Sequence, residues 1–138
     1  MKRHVVTVEP DESLLEAERI MRLARIRHLP VTRDGLLVGV LSHRDVVESS
    51  IGPQDPASPA ERADHLRRIS IDRILKRHPH TVEPDCMAQE AARLMLRLKI
   101  GCLPVVEPGA EGPTLVGLIT ESDLLELAYV RDYGESSD

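Results

Sequence analysis

With 138 residues, 41% of them hydrophobic and 30% charged, the chain can bury a core of its own and has the balance of a soluble globular protein. Its net charge of −5 argues against general affinity for nucleic acid. No apolar run approaches the ~20 residues of a membrane span, and the basic start Met1-Lys2-Arg3-His4 leads into a strand-like run and not the apolar core of a signal peptide. The expected location is the cytoplasm, with Cys86 and Cys102 as reduced core residues that lack metal-site spacing. There is no Trp and no Phe, and Tyr129 and Tyr133 are the two aromatics, so a planar ligand held by the core must lie against aliphatic side chains.

In chain order, Val5–Val8 reads as a short strand ended by Pro10. Asp11 can cap a helix whose apolar residues Leu14, Ala17, Ile20, Met21 and Ala24 recur at three and four. Leu29-Pro30-Val31 starts a second strand, the turn Arg33-Asp34-Gly35 leads to a third, and a second helix follows Asp45. Residues 49–70 read as a linker: Pro53, Pro56 and Pro59 fill its first half and Pro59-Ala60-Glu61-Arg62 starts a helix. Ile71–Leu75 is an amphipathic turn before the second half.

That second half repeats the first. A shift of 74 places Lys2–Val31 on Lys76–Val105 with 16 of 30 positions identical, including Thr-Val-Glu-Pro-Asp and Leu-Pro-Val. His80–Val82 is then the strand, Asp85 the cap, and Ala88, Ala91, Leu94, Met95 and Leu98 the helix stripe, with Gly101 as its stop. Four extra residues around Glu107–Thr114 make a longer turn. Leu94, Met95, Leu96 and Leu98 lie almost all round one helical turn, which points to burial against a second copy. Each half is a βαββα unit: repeat 1 over 1–48, repeat 2 over 71–128, and a tail over 129–138. Repeat 1 has no counterpart of the Ile71–Leu75 turn, so the chain is expected either to be short there by nature or to belong to something longer.

Each repeat contains one Gly-x-x-Ser/Thr-x-x-Asp turn: Gly39-Val40-Leu41-Ser42-His43-Arg44-Asp45 and Gly117-Leu118-Ile119-Thr120-Glu121-Ser122-Asp123. A Gly inside a strand marks close approach of a ligand or another backbone. The hydroxyl residue falls at a helix N-cap with the Asp in the first turn, where outward N–H groups suit an anion. The same pattern is also close to a capping box, which starts a helix and need do nothing else.

These residues resemble the tandem CBS-domain pair, or Bateman module: two βαββα repeats, each with an Ile-x-x-Leu-Pro-Val strand entry (IRHLPV, IGCLPV) and the Gly-x-x-Ser/Thr-x-x-Asp turn (GVLSHRD, GLITESD). The resemblance implies an α+β fold in which the repeats are related by a pseudo-twofold axis and packed through their small sheets. It implies two clefts between them that bind adenosine-containing ligands, such as AMP, ADP, ATP, S-adenosylmethionine or NAD(H), and pairs that often dimerise. By the same resemblance Asp45 and Asp123 accept the ribose hydroxyls, Ser42 and Thr120 meet the phosphate, and Val40 and Leu118 form an aliphatic wall. One cleft would join Ser42 and Asp45 to Lys76, His80 and Ile100; the other would join Thr120 and Asp123 to Lys2, Val6 and Ile26. Arg27, His28 and Arg44 stand where the family often places phosphate-binding side chains. Repeat 2 has Gly101, Cys102 and Ser122 there, so repeat 1 should bind phosphate more strongly. Arg27 and His28 also suit a plain role as solvated cations at a helix end.

The function expected is regulatory sensing of an adenine nucleotide by a homodimer, with the nucleotide as regulatory ligand and no required cofactor. There is no nucleophile–base pair, phosphate loop or metal cluster, and His78-Pro79-His80 lacks a third ligand, so neither catalysis nor a metal is expected. The alternatives are a dimerisation module without nucleotide, a sensor of S-adenosylmethionine or NAD(H), and a regulatory fragment of a larger enzyme or transporter.

Overall fold

Helices and antiparallel strands mix throughout the computed structural model, which describes residues 5–50 and 58–131. The chain divides into two compact units, one over Val6–Pro79 and one that joins Val5 to the residues from His80 onward.

The first unit is built on a hairpin. Strands β1 (His28–Arg33) and β2 (Leu36–Ser42) pair antiparallel, from His28 opposite Ser42 to Arg33 opposite Leu36. Asp34 and Gly35, at φ 53° and 80°, close it in the mirror-image turn that matches strand twist and that Asp-Gly favours. Helix α1 (Leu14–Ala24) covers the hairpin with Leu14, Leu15, Ala17 and Met21 buried. Helix α2 (His43–Ser50) follows β2 directly and buries Val46. Helix α3 (Pro59–Arg67) starts at Ser58, whose Oγ accepts the Glu61 N–H, and buries Leu66 completely. A single 3-10 turn over Ile71–Arg73 follows, and then the two-residue strand β3 (Lys76–Arg77), which pairs with β2 at Val40 and Gly39. One core joins Val8, Leu14, Leu29, Val31, Leu41, Val46, Leu66, Ile71 and Leu75. Residues 66–75 therefore complete the first unit's core.

The second unit repeats the plan. Helix α4 (Ala88–Leu98) packs on strands β4 (Cys102–Glu107) and β5 (Thr114–Thr120), which pair antiparallel from Cys102 opposite Thr120 to Glu107 opposite Thr114. Helix α5 (Glu121–Leu125) leaves β5 and passes into π-helical turns over Glu126–Arg131. Ala91, Met95, Leu103, Val105 and Ile119 are its core, with Cys86, Leu94 and Leu124 packed against them.

Several expectations are corrected. The first strand of each repeat shrinks to one parallel bridge, Val8 to Val31 and Val82 to Val105. Helix α1 is capped by Ser13, not Asp11, its Oγ accepting the Glu16 N–H. The physical reason is that backbone groups just before the helix are committed elsewhere: Asp72 N–H donates to Pro10 O, Ile71 N–H to Glu12 O, and Leu14 N–H to Ile69 O. Helix α4 starts after Met87, which offers no capping side chain, so Asp85 caps nothing there. It ends not at Gly101 but at Lys99, left-handed at φ 56°, as α1 ends at Arg25 at φ 57°. Along the helix stripes, Ala24 and Ala88 are exposed, while Leu15 and the carboxylate of Glu18 take buried positions on α1. Leu96, expected to be covered by a second copy, is 79% exposed on the single chain.

Glu18 joins two helices of the first unit. Arg62 on α3 donates to both its oxygens, at 2.7 and 2.6 Å, and Arg22 stands 3.6 Å away. The Arg62 hydrogen bonds hold its carboxyl below the usual carboxylate range, against the opposing effect of burial.

Candidate functional site

Each Gly-x-x-Ser/Thr-x-x-Asp segment runs from strand into helix, as the sequence requires, and each closes a reciprocal cap. Ser42 Oγ accepts the Asp45 N–H at 3.1 Å while Asp45 Oδ2 accepts the Ser42 N–H at 2.9 Å. Thr120 Oγ1 accepts the Asp123 N–H at 3.2 Å and Asp123 Oδ2 the Thr120 N–H at 3.0 Å. The first helical N–H is also spent within each unit: His43 N–H donates to Arg27 O at 2.7 Å, and Glu121 N–H to Gly101 O at 3.2 Å. The capping-box reading is thus realised at both turns, and part of the N–H array that could face an anion is already used.

At the first turn one carboxylate oxygen is directed elsewhere. Asp45 is 9% exposed, and its Oδ1 lies 3.9 Å from the Lys76 ammonium, brought there by β3. The exposed Arg44 follows Ser42 by two positions, His28 pairs with Ser42 across the hairpin, and the exposed Arg27 holds His43 through its carbonyl. Within this unit Lys76 and Asp45 meet directly, while Arg27 and His28 join the turn through a backbone bond and a strand pairing and Arg44 lies in the turn itself. Ile26 packs against the first core, Val40 is half-buried on β2, and Val6 is 43% exposed.

Around the second turn the geometry is the same and the charge is not. Cys102 stands opposite Thr120, and Glu121 and Ser122 occupy the positions of His43 and Arg44. Burial pushes the Cys102 thiol up to about 11, which leaves it an inert core group. Cys86 is also raised, first by burial and then by Glu90. Gly117 and Leu118 are buried, Ile100 packs against the second core, and His80 is exposed on this unit. Lys2 lies outside the described residues. Among the described residues no group of His, Cys, Asp and Glu could hold a metal ion, and no helix is long and apolar enough to cross a membrane.

Gly39 makes room for backbone. A Cβ there would stand 2.5 Å from the Lys76 carbonyl oxygen and would overlap Leu75 Cδ1. Of the two readings open for a strand glycine, close approach of another chain segment holds at this position. The sequence reading missed that partner and the Glu18–Arg62 pair. For the first, the signal was the matching Lys-Arg-His at 2–4 and 76–78; nothing local announced the second.

The profile of the CBS domain matches residues 1–52 and 71–129. The chain belongs to the CBS domain family. Two matches in series make it a tandem CBS pair. A CBS domain-containing protein of Dictyostelium discoideum is 33% identical over 128 residues, covering 92% of this chain and 86% of that protein. The inosine-5′-monophosphate dehydrogenase of Korarchaeum cryptofilum is 36% identical over 122 residues, covering 88% of this chain but 22% of the enzyme. The crystal structure of CBSX2 in complex with AMP is similar at a TM-score of 0.74 and 25% identity, over 94% of this chain and 90% of that one. The second CBS match starts at Ile71, yet residues up to Pro79 pack with the first unit. The start of one CBS repeat thus supplies β3 to the other.

Proposed function

We propose that this CBS pair is a regulatory module that senses an adenosine-containing ligand of the AMP, ADP or ATP class, without chemistry of its own. The observation that carries the reading is Asp45: its cap uses Oδ2, and Oδ1 of this largely buried side chain faces the ammonium of the exposed Lys76 at 3.9 Å. A ribose diol, with two O–H donors, suits such an acceptor. Ser42, Arg27, His28 and Arg44 supply hydroxyl and positive charge for a phosphate; of the aliphatic side chains suited to an adenine face, the first unit supplies Val40, Ile26 and Val6 and the second Ile100 and Leu118. Asp123 and Thr120 repeat the acceptor and hydroxyl, with Cys102 and Ser122 at the positions of His28 and Arg44. Lys76 and His80 complete the assignment, with Lys2 as the counterpart of Lys76 in the repeat; Gly39 serves it by admitting β3, and Gly117 is the counterpart of Gly39. The AMP-bound relative supports this ligand class.

The test is a thermal-shift panel of AMP, ADP, ATP, S-adenosylmethionine, NADH and adenosine. A ligand that binds only the native state adds about 2.7 kcal/mol at a hundredfold excess over Kd. At roughly 3 °C for each ~1 kcal/mol, an adenine nucleotide should raise the midpoint by several degrees. A panel that leaves the midpoint unmoved favours the second reading, an interaction module in which both turns are helix caps and nothing more.

The same proposal includes a homodimer in the cytoplasm and a regulated enzyme or transporter, fused or separate. Leu23 and Leu96, 85% and 79% exposed on their helices, favour association. Light scattering should give about twice the 15.4 kDa of one chain at micromolar concentration. A monomer mass with and without nucleotide would reject the dimer.

A further inference from the structure

We propose that Lys76 sets a preference for phosphorylated over unphosphorylated adenosine ligands, by standing in as the counter-ion of Asp45 until a ligand arrives. The inference deepens the adenosine reading above and rests on it. Its basis is where the fold puts one flexible cation. Strand β3 is held to β2 by pairing of Lys76 with Val40 and Arg77 with Gly39, at a point too tight for a Cβ on residue 39. Alternation along a strand sends neighbouring side chains to opposite faces. Arg77 accordingly pairs with Asp72, and Lys76 reaches Asp45. The Asp45 side chain is 11% exposed and that of Lys76 is 74% exposed, so the anchored partner is the carboxylate and the movable one is the ammonium. At 3.9 Å the ammonium balances a largely buried charge without a tight hydrogen bond.

A ribose diol that donates to Oδ1 takes the place of that ammonium. A compact charge on a four-carbon stem can swing away, where a forked guanidinium would resist. The consequence depends on the ligand. A phosphate gives the released ammonium a new partner. Adenosine gives it none, so adenosine must displace a counter-ion and receives nothing in exchange. Lys76 therefore opposes the bare nucleoside and favours the nucleotide.

Calorimetric titration of the full chain with AMP and with adenosine tests this in the wild type and in Lys76→Gln, Lys76→Arg and Asp45→Ala. Lys76→Gln keeps the β3 backbone and removes the charge. Adenosine should then bind about two- to fivefold more tightly and AMP more weakly by a similar factor, so their affinity ratio falls about tenfold. Lys76→Arg should weaken both ligands, because the guanidinium resists displacement, while keeping their ratio within about twofold of wild type; Asp45→Ala should weaken both ligands. An unchanged ratio in Lys76→Gln, with both ligands still weakened by Asp45→Ala, overturns the role of Lys76 and leaves the adenosine reading standing. Wild-type affinity for both ligands in Asp45→Ala overturns the reading itself, and the inference with it.

Discussion

Gly39→Ala should lower the melting midpoint by about 4 °C, although a methyl group on a strand would ordinarily help. In an open strand Ala gains roughly 0.5–1 kcal/mol over Gly, because Gly loses more chain entropy on folding. Here the new Cβ would meet Leu75 Cδ1 and stand 2.5 Å from the Lys76 carbonyl oxygen. The Leu75 methyl can rotate away, but the carbonyl belongs to the strand paired with Gly39 and Val40. Overpacking of this kind costs about 1–3 kcal/mol, which outweighs the entropy gain and reverses its sign. At about 3 °C per kcal/mol the net loss is several degrees. Amide exchange should rise at Lys76 and Arg77 as β3 detaches. The Gly39→Ala/Leu75→Ala double variant should not recover, since the backbone clash remains. A midpoint at or above wild type would mean that the approach of β3 to β2 is looser than the structure has it.

Arg62→Ala should cost about 2 kcal/mol at neutral pH and much less in acid. The substitution leaves Glu18, 7% exposed, with Arg22 as its remaining ion-pair partner at 3.6 Å. Breaking a buried pair costs about 3–5 kcal/mol; the Arg62 side chain is 35% exposed, so solvent screening brings the figure down. The pH dependence follows from the lowered Glu18 pKa. In the wild type the carboxyl binds its proton less readily in the folded chain than in the unfolded one. Its stabilisation is therefore complete above the ordinary carboxylate value and fades as pH falls through the lower folded one. Thermal melts should show the two proteins about 6 °C apart at pH 7 and converging below about pH 4. A gap that is constant across that range would assign the loss to packing of the Arg62 stem and not to its charge.

Much of the fold was legible because it is written twice. The paired Leu-Pro-Val entries, the Asp-Gly turn and the two Ser/Thr-x-x-Asp caps are local chemistry, and each formed where its residues stand. What escaped the reading depends on contacts distant in sequence. Asp11 lost its cap role because residues 69–72 bind the backbone around it. Lys99 took the left-handed helix end that Gly101 suits better on propensity alone. Glu18 looks like a solvated helix residue until α3, more than forty positions away, brings Arg62 onto it. At the candidate site, the cap bonds of Ser42 and Asp45 could be read from spacing. The family resemblance put Lys76 with Asp45, but spacing alone could not, because their approach depends on Gly39 admitting a strand from the next repeat.

The central claim is that the two Asp turns are ligand acceptors as well as helix caps. Losing a cap costs about 1 kcal/mol in the ligand-free protein, so the quantity to measure is the ligand-induced rise of the melting midpoint and not the midpoint itself. ATP should raise the wild-type midpoint by several degrees. Asp45→Ala should lose most of the rise contributed by the first turn, Asp123→Ala that of the second, and the double variant nearly all of it. If both single variants and the double keep the wild-type rise, the turns serve as caps alone and the sensing account is wrong.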